Sequence, residues 1–347
     1  MSGRADASPE RDELIRRFRA FAEREAGASP LYQALSAAVA EDAELLDLAA
    51  HARPGQPPAN MLFAAVQSLL LTSERDDPLA AFYPRLSAAP GGPGDAVPAF
   101  RSFCRRHAAE IAGLLPRRAV STNEPARAAL LRPAFALATA ELDGPVHFLE
   151  IGCSAGLVLL WPRLRMDYGG GRTVGPPDAP LTLPCQLDGA APLEIEPARI
   201  AGLQGVEREP LDPNDPSDAV WLQALVWPEQ THRAPRLERA LALAGADPPR
   251  VHRGDALELL PDLAAALPDG AALVVHHQFT LNQFPENARA RLESQLARIA
   301  EKRPLRRVGL EWSGRERAAV LEIAEPPQPA RRLARCDPHG AWLEWAG

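Results

Sequence analysis

From residue 146 onward the sequence alternates short apolar runs with stretches of helical periodicity, and this alternation constrains the fold more than any other feature. The runs are VHFLEIG (146–152), ARIAGLQGVE (198–207), RVHRGDA (250–256), AALVVHHQF (271–279) and LRRVGLEW (305–312). Apolar residues at helical spacing fill 217–225, 233–245 and 286–302 between them. Parallel strands need a crossover long enough to hold a helix, so this succession predicts a mostly parallel sheet. Two closing segments, AAVLEIAE (318–325) and RRLARCDPHGAWLEW (331–345), predict an antiparallel pair at the sheet's end. The stretch 169–197, rich in Gly and Pro around LTLPCQL, reads as an insertion carrying a small strand or hairpin.

Before residue 140 the texture is helical. Ser8-Pro9 and Ser29-Pro30 are cap-and-first-turn pairs, followed by Leu14, Ile15, Phe18 and Phe21, and by Leu31, Leu35 and Val39. Asn60 precedes Leu62, Phe63, Val66, Leu69 and Leu70 at the same spacing. After the loop SAAPGGPGDAVP (87–98), Phe100, Phe103, His107, Ile111 and Leu114 mark one further helix. Asn123-Glu124-Pro125 opens another that runs to about Thr139. The chain is therefore read as a helical cap domain, 1–140, ahead of a sheet-bearing domain, 141–347.

Composition narrows the partners. A net charge of −7 over 347 residues argues against a polyanion, so no nucleic-acid partner is expected. No uncharged apolar run approaches the ~20 residues that span a bilayer, so no membrane partner is expected either. The opening residues, MSGRADASPERDELIRRFRAF, lack the apolar core of a signal peptide. Cys104, Cys153, Cys185 and Cys336 form no CxxC pair and no zinc spacing, and read as reduced structural thiols in a cytoplasmic protein.

The chemistry concentrates in FLEIGCSAGL (148–157). Gly152-Cys153-Ser154-Ala155-Gly156 matches G-x-S-x-G, the elbow that presents a nucleophilic serine, with Asp255 or Glu311 and then His339 able to complete the order of a triad. It also matches a glycine turn under a nucleotide-like cofactor, with Glu150 closing the strand before it. The helical residues upstream favour the second template, because a nucleophile elbow follows several strands. A carboxylate at Glu150 suits the amino group of S-adenosylmethionine, Gly152 and Gly156 allow a tight turn near the adenosyl group, and Ser154 adds a hydroxyl. Glu207, closing the second run, is placed for ribose hydroxyls. Asp255, with Ala256 beside it, is placed for the adenine amino group. His276 closes the fourth run among the cofactor-lining residues.

These residues resemble the class I S-adenosylmethionine-dependent methyltransferases over roughly 120–347. More closely, nearly the whole chain resembles a bacterial family called domain of unknown function 2332. That likeness rests on NMLFAAVQSLLL, STNEPARAALL, LEIGCSAGLVLLWPRLRMDYG, PLDPNDPSDAVWLQALVWPEQ, RGDALELLP and DPHGAWLEW. The resemblance implies an α/β, Rossmann-like methyltransferase fold: a mostly parallel doubly wound sheet with an antiparallel final strand, behind an all-helical N-terminal domain. It implies S-adenosylmethionine as cofactor and methylation of a small-molecule acceptor. Glu207 stands where the pattern has aspartate, and His276-His277-Gln278-Phe279 keeps only the second histidine of an FHS-like stretch.

His277 is the candidate base, because imidazole titrates near neutrality, and Glu311 is its candidate partner or an alternative base. A strand-end histidine bonded to backbone, and an acid paired with an arginine, are the structural readings beside these. No metal is expected, since adjacent strand residues point to opposite faces and His276 and His277 cannot both hold one ion. Asn123, Glu124 and Arg127 are candidate acceptor- or cofactor-facing residues; a helix cap with an ion pair explains them as well. Trp227 and Glu229 are candidate acceptor contacts, though packing explains the tryptophan too. Tyr168 and Trp161 read as structural. A non-catalytic binder of the same cofactor, or a serine hydrolase using Ser154, are the alternatives; the oligomeric state is not legible.

Overall fold

A computed structural model describes residues 9–314 and 318–346 of the chain; Ser8, read above as a helix cap, lies outside them. The helices are α1 (Pro9–Ala20), α2 (Pro30–Val39), α3 (Ala43–Ala49), α4 (Pro58–Leu71), α5 (Ala96–Arg106), α6 (Ala108–Leu114), α7 (Arg127–Thr139), α8 (Pro216–Ala224), α9 (Arg233–Ala246), α10 (Ala256–Ala265) and α11 (Glu286–Ala300). The strands are β1 (Val146–Ile151), β2 (Arg165–Asp167), β3 (Thr173–Val174), β4 (Thr182–Pro184), β5 (Gln186–Asp188), β6 (Ile200–Glu207), β7 (Arg250–Arg253), β8 (Ala272–Gln278), β9 (Leu305–Trp312), β10 (Ala319–Ala324), β11 (Arg331–Cys336) and β12 (Trp342–Trp345).

The chain forms two compact units, and their boundary departs from the one expected at residue 140. One unit comprises 1–122 and 215–238, the other 123–214 and 239–347. The physical reason lies in side chains that tie 215–238 to the N-terminal helices. Gln67 Nε2 donates to Val226 O at 2.7 Å and Ala224 O at 3.3 Å, and its Oε1 accepts from Tyr32 at 3.0 Å. The indole of Trp221 donates to Ala119 O at 2.8 Å. Tyr32 stacks on Phe63 at 4.5 Å, and Trp227 packs against Phe21 and Tyr32 at 5.6 and 6.0 Å. Ser29 caps α2 as its sequence predicts, accepting from Tyr32 N. The single helix expected over 100–114 is broken at His107 into α5 and α6.

The second unit is mixed α/β around a large, mostly parallel nine-stranded sheet, ordered β5-β12-β11-β10-β9-β8-β1-β6-β7. Strands β7, β6, β1, β8 and β9 pair parallel throughout. In chain order they stand third, second, first, fourth, fifth, so the winding direction reverses between β1 and β8. The C-terminal end differs from the antiparallel pair expected. Residues 331–345 make two strands, because Asp337 accepts from the N–H of His339 (2.8 Å) and Ala341 (3.1 Å) and turns the chain. Strands β10, β11 and β12 thus follow β9 as an antiparallel meander, and β5 adds in parallel to β12. The insertion builds its own small sheet, β3-β2-β4, which begins before residue 169.

Both faces of the parallel core are covered. Leu149, Ile151, Leu273, Val275 and Leu305 pack with Leu257 and Leu260 of α10 and Leu292 and Leu296 of α11. Residues one position along project the other way. On that face Phe148 and His276 meet Phe135 of α7, with ring centroids 5.1 and 5.0 Å from it.

Candidate functional site

The winding of the sheet reverses between β1 and β8, and open α/β sheets bind ligands at the carboxyl ends beside such a reversal. Registry decides which groups stand there and on which face. Glu150 aligns with Gly205 and His276, His276 with Val308, and Gln278 with Leu310. Alternation therefore puts Glu150, Glu207, His276, Gln278 and Trp312 on the face covered by α7. It puts His277 and Glu311 on the opposite face.

Glu150 is 1% exposed. Its Oε1 accepts from Gln278 Nε2 at 2.9 Å, while Oε2 is buried with no hydrogen-bond partner among the described residues. Burial pushes this carboxyl well above the usual range; Arg127 pulls it back in part, Glu207 pushes it further up, and the Gln278 bond again lowers it. A buried acceptor left without a donor costs free energy unless a ligand or water supplies one.

The turn after β1 is tight: Gly152, Ser154 and Gly156 all have φ between +55° and +73°. Side chains of this same unit fill the space beside the two glycines. A Cβ on Gly152 would lie 2.4 Å from Thr280 Oγ1, and one on Gly156 would lie 2.8 Å from Pro249 Cβ. The glycines are thus demanded by these packed neighbours, a different reason from the cofactor approach read in the sequence. Ser154 N donates to Glu207 Oε2 at 2.9 Å, and Glu207 Oε1 accepts from Arg208 N at 2.8 Å.

Asp255 caps α10 through Leu257 N at 2.8 Å and pairs with Arg208. Its burial raises the carboxyl, but these bonds outweigh burial and hold it below the usual range. Ala256 is the first residue of that helix, and it is buried. Asn123 Oδ1 accepts from Leu157 N at 2.9 Å and so satisfies an N–H at the start of the short helix after the glycine turn. Glu124 accepts from Ala126 N at 3.1 Å. Arg127 donates to Pro338 O at 2.9 Å and lays its guanidinium 4.4 Å from the centre of Phe279.

His276 departs from the cofactor-lining role expected of it. Its side chain is fully buried against Phe135 and Phe148, and burial, with the neighbouring His277, pushes its pKa down to about 3. It is a neutral core imidazole.

On the other face, His277 Nδ1 lies 2.7 Å from Glu311 Oε1. That carboxylate also accepts from the N–H groups of Thr280, Leu281 and Asn282 at 3.1, 3.0 and 3.3 Å. Burial alone would raise Glu311, but His277 and these donors more than offset it and hold the acid below its usual range. An ionised partner fixes the proton on Nδ1, which leaves Nε2 as the basic nitrogen. Nε2 is buried without a partner among the described residues.

Trp227 and Glu229 belong to the helical unit and are explained within it. Glu229 accepts from Ser29 Oγ and from Leu31 N at 2.9 Å, clasping the start of α2. Of the acids in the triad reading, Glu311 bonds His277, and Asp255 bonds Leu257 N and Arg208. Glu74, Asp77 and His107 converge in the helical unit, but Asp77 pairs with Arg106 and His107 with Glu110. Sequence reasoning did not single out Gln278, Thr280, Gly309 or Trp312 individually; only the strand-end position of the first and last was legible.

No helix among the described residues is long and apolar enough to cross a membrane. The family described as "Uncharacterized protein conserved in bacteria (DUF2332)" matches residues 15–345, and the chain belongs to that family. No curated protein and no solved structure matches the chain significantly.

Proposed function

We propose that the carboxyl ends of β1 and β8, where the sheet reverses its winding, bind S-adenosylmethionine, that this unit has a Rossmann-like methyltransferase fold, and that the protein methylates a small molecule. The observation that carries the reading is the orphaned Glu150 Oε2, a buried acceptor at the switch point of the sheet. A cationic amino group fits it, because such a donor supplies the missing hydrogen bond and restores the carboxylate's charge in one step. The strand order supports the reading as well, being that of doubly wound nucleotide-binding sheets.

Glu150 would hold the methionine amino group, with Arg127 on the same face suited to its carboxylate. Glu207 keeps acceptor capacity beyond its bonds to Ser154 N and Arg208 N, since a carboxylate offers about four lone-pair sites. It is suited to ribose hydroxyls. Asp255 has less to offer the adenine amino group, being committed to Leu257 N and Arg208. Bound there, the cofactor supplies a methyl group on a sulfonium, and positioning provides most of the acceleration of an in-line displacement. His277 and Glu311 lie on the opposite face of the sheet from Glu150, with His277 Nε2 buried, so the reading assigns the pair to positioning the end of β8 rather than to proton transfer from the acceptor.

Ultraviolet cross-linking with methyl-labelled S-adenosylmethionine tests the placement. The reading expects label in the peptides that carry Glu150 or Gln278, chased off by unlabelled S-adenosylhomocysteine. Label confined to other peptides would contradict it.

A further inference from the structure

Trp312 ends β9 and is 47% exposed, the large hydrophobic side chain left open to solvent among the described residues. It follows Glu311 directly, yet alternation carries its indole to the face that holds Glu150 and Gln278. The indole lies 5.3 Å from the ring of Phe279 at an interplanar angle of 58°. The Phe279 ring in turn carries the Arg127 guanidinium 4.4 Å from its centre.

Phe279 is held in an unusual backbone state. Its φ is +53°, a region that bulky side chains rarely enter. The conformation is pinned at both ends: its N–H donates to Leu310 O at 2.8 Å, and its O accepts from Gln283 Nε2 at 2.9 Å. Strain that is over-determined in this way clusters at ligand sites. Here it sets the ring against both a cation and an indole. The series Arg127, Phe279, Trp312 ends in an aromatic surface with solvent on it.

We propose that Trp312 and Phe279 form a shelf on which a planar aromatic small molecule stacks. That this molecule is the methyl acceptor rests on the function proposed above; the shelf itself does not. Offset or edge-on contact between aromatic rings favours a planar ligand over a saturated one of equal charge and similar size.

The test compares 2-naphthoate with decahydro-2-naphthoate, without any nucleoside present, by calorimetric titration for affinity and by titration against protein carrying 15N-labelled indoles for location. Trp312→Phe assigns the Trp312 signal. The shelf predicts that naphthoate shifts that signal and binds at least about fivefold more tightly than the saturated acid. Trp312→Ala, a change at a solvent-exposed ring, should remove the preference, and Trp312→Phe should keep most of it. Equal binding of the two acids, or a preference that survives Trp312→Ala, overturns the shelf. Failure of the cofactor reading would show separately, as absent binding of S-adenosylmethionine to protein whose shelf still prefers the aromatic acid.

Discussion

Gln278 Nε2 reaches across from β8 to donate to Glu150 Oε1 at 2.9 Å, and the second oxygen of that buried carboxylate is left without a donor. The pair joins the two strands between which the sheet reverses its winding. It makes Glu150 a carboxyl that is costly to ionise.

That cost sets a pH dependence. Burial raises Glu150 above its ordinary value, so its contribution to stability is full at pH below the unfolded pKa and is lost as pH rises through the folded one. Glu150→Gln removes the ionisation while keeping the shape. The variant should therefore gain stability relative to the native protein as pH rises above the unfolded value, by up to about 1.4 kcal/mol per pH unit until the raised folded value is passed. Thermal melts at several pH values read the difference; a gap that does not grow with pH contradicts the assignment.

His276 titrates in the opposite sense. Its folded pKa is pushed down to about 3, below its unfolded value near 6.5, so its contribution is present above 6.5 and is lost as pH falls toward 3. His276→Phe fills the same pocket beside Phe135 and Phe148 with a ring that cannot be protonated. The variant's stability should fall less than the native protein's between pH 6.5 and 4. Parallel pH profiles for the two would show that His276 is not a buried neutral group.

Gly309 sets the position of the His277 ring. The two residues are cross-strand neighbours, and a Cβ at 309 would lie 2.8 Å from His277 Cε1 and 3.1 Å from Nε2. Gly309→Ala should cost about 1–3 kcal/mol by overpacking and weaken the His277–Glu311 bond. Long-range nitrogen–proton correlations of the imidazole report this directly, as loss of the Nδ1–H tautomer signature. An unchanged signature in Gly309→Ala contradicts the packing argument. Gly27→Ala, where a Cβ meets nothing within 4 Å, serves as the control.

Glu229 is a clasp within the helical unit. Glu229→Ala strips acceptors from Ser29 Oγ and Leu31 N and should destabilise that unit by roughly 1–3 kcal/mol. Nucleoside binding by the folded variant should be unchanged. A variant of native stability that has lost ligand affinity would restore the binding role its sequence position suggests.

The parallel core was legible because strands buried on both faces leave continuous apolar runs: VHFLEI and ALVVHH stand where β1 and β8 stand. Glu150 was legible for the same reason, as a charge that interrupts such a run just before a glycine. The membership of 215–238 was not, since it depends on an amide of Gln67 that meets carbonyls more than 150 residues away. The alternation of His276 and His277 was readable, but which of the two shares a face with Glu150 required the register between β1 and β8. Gly309 and Trp312 carry no local signal; one is defined by a neighbour's ring, the other by what fails to cover it.

Calorimetric titration of the native protein and Glu150→Gln with S-adenosylmethionine and S-adenosylhomocysteine, with NAD as control, tests the central claim most directly. The account predicts micromolar binding of both nucleosides and not of NAD, weakened at least about tenfold in the variant, equivalent to about 1.4 kcal/mol. No binding of either nucleoside to the native protein, or the same affinity in Glu150→Gln, would contradict it.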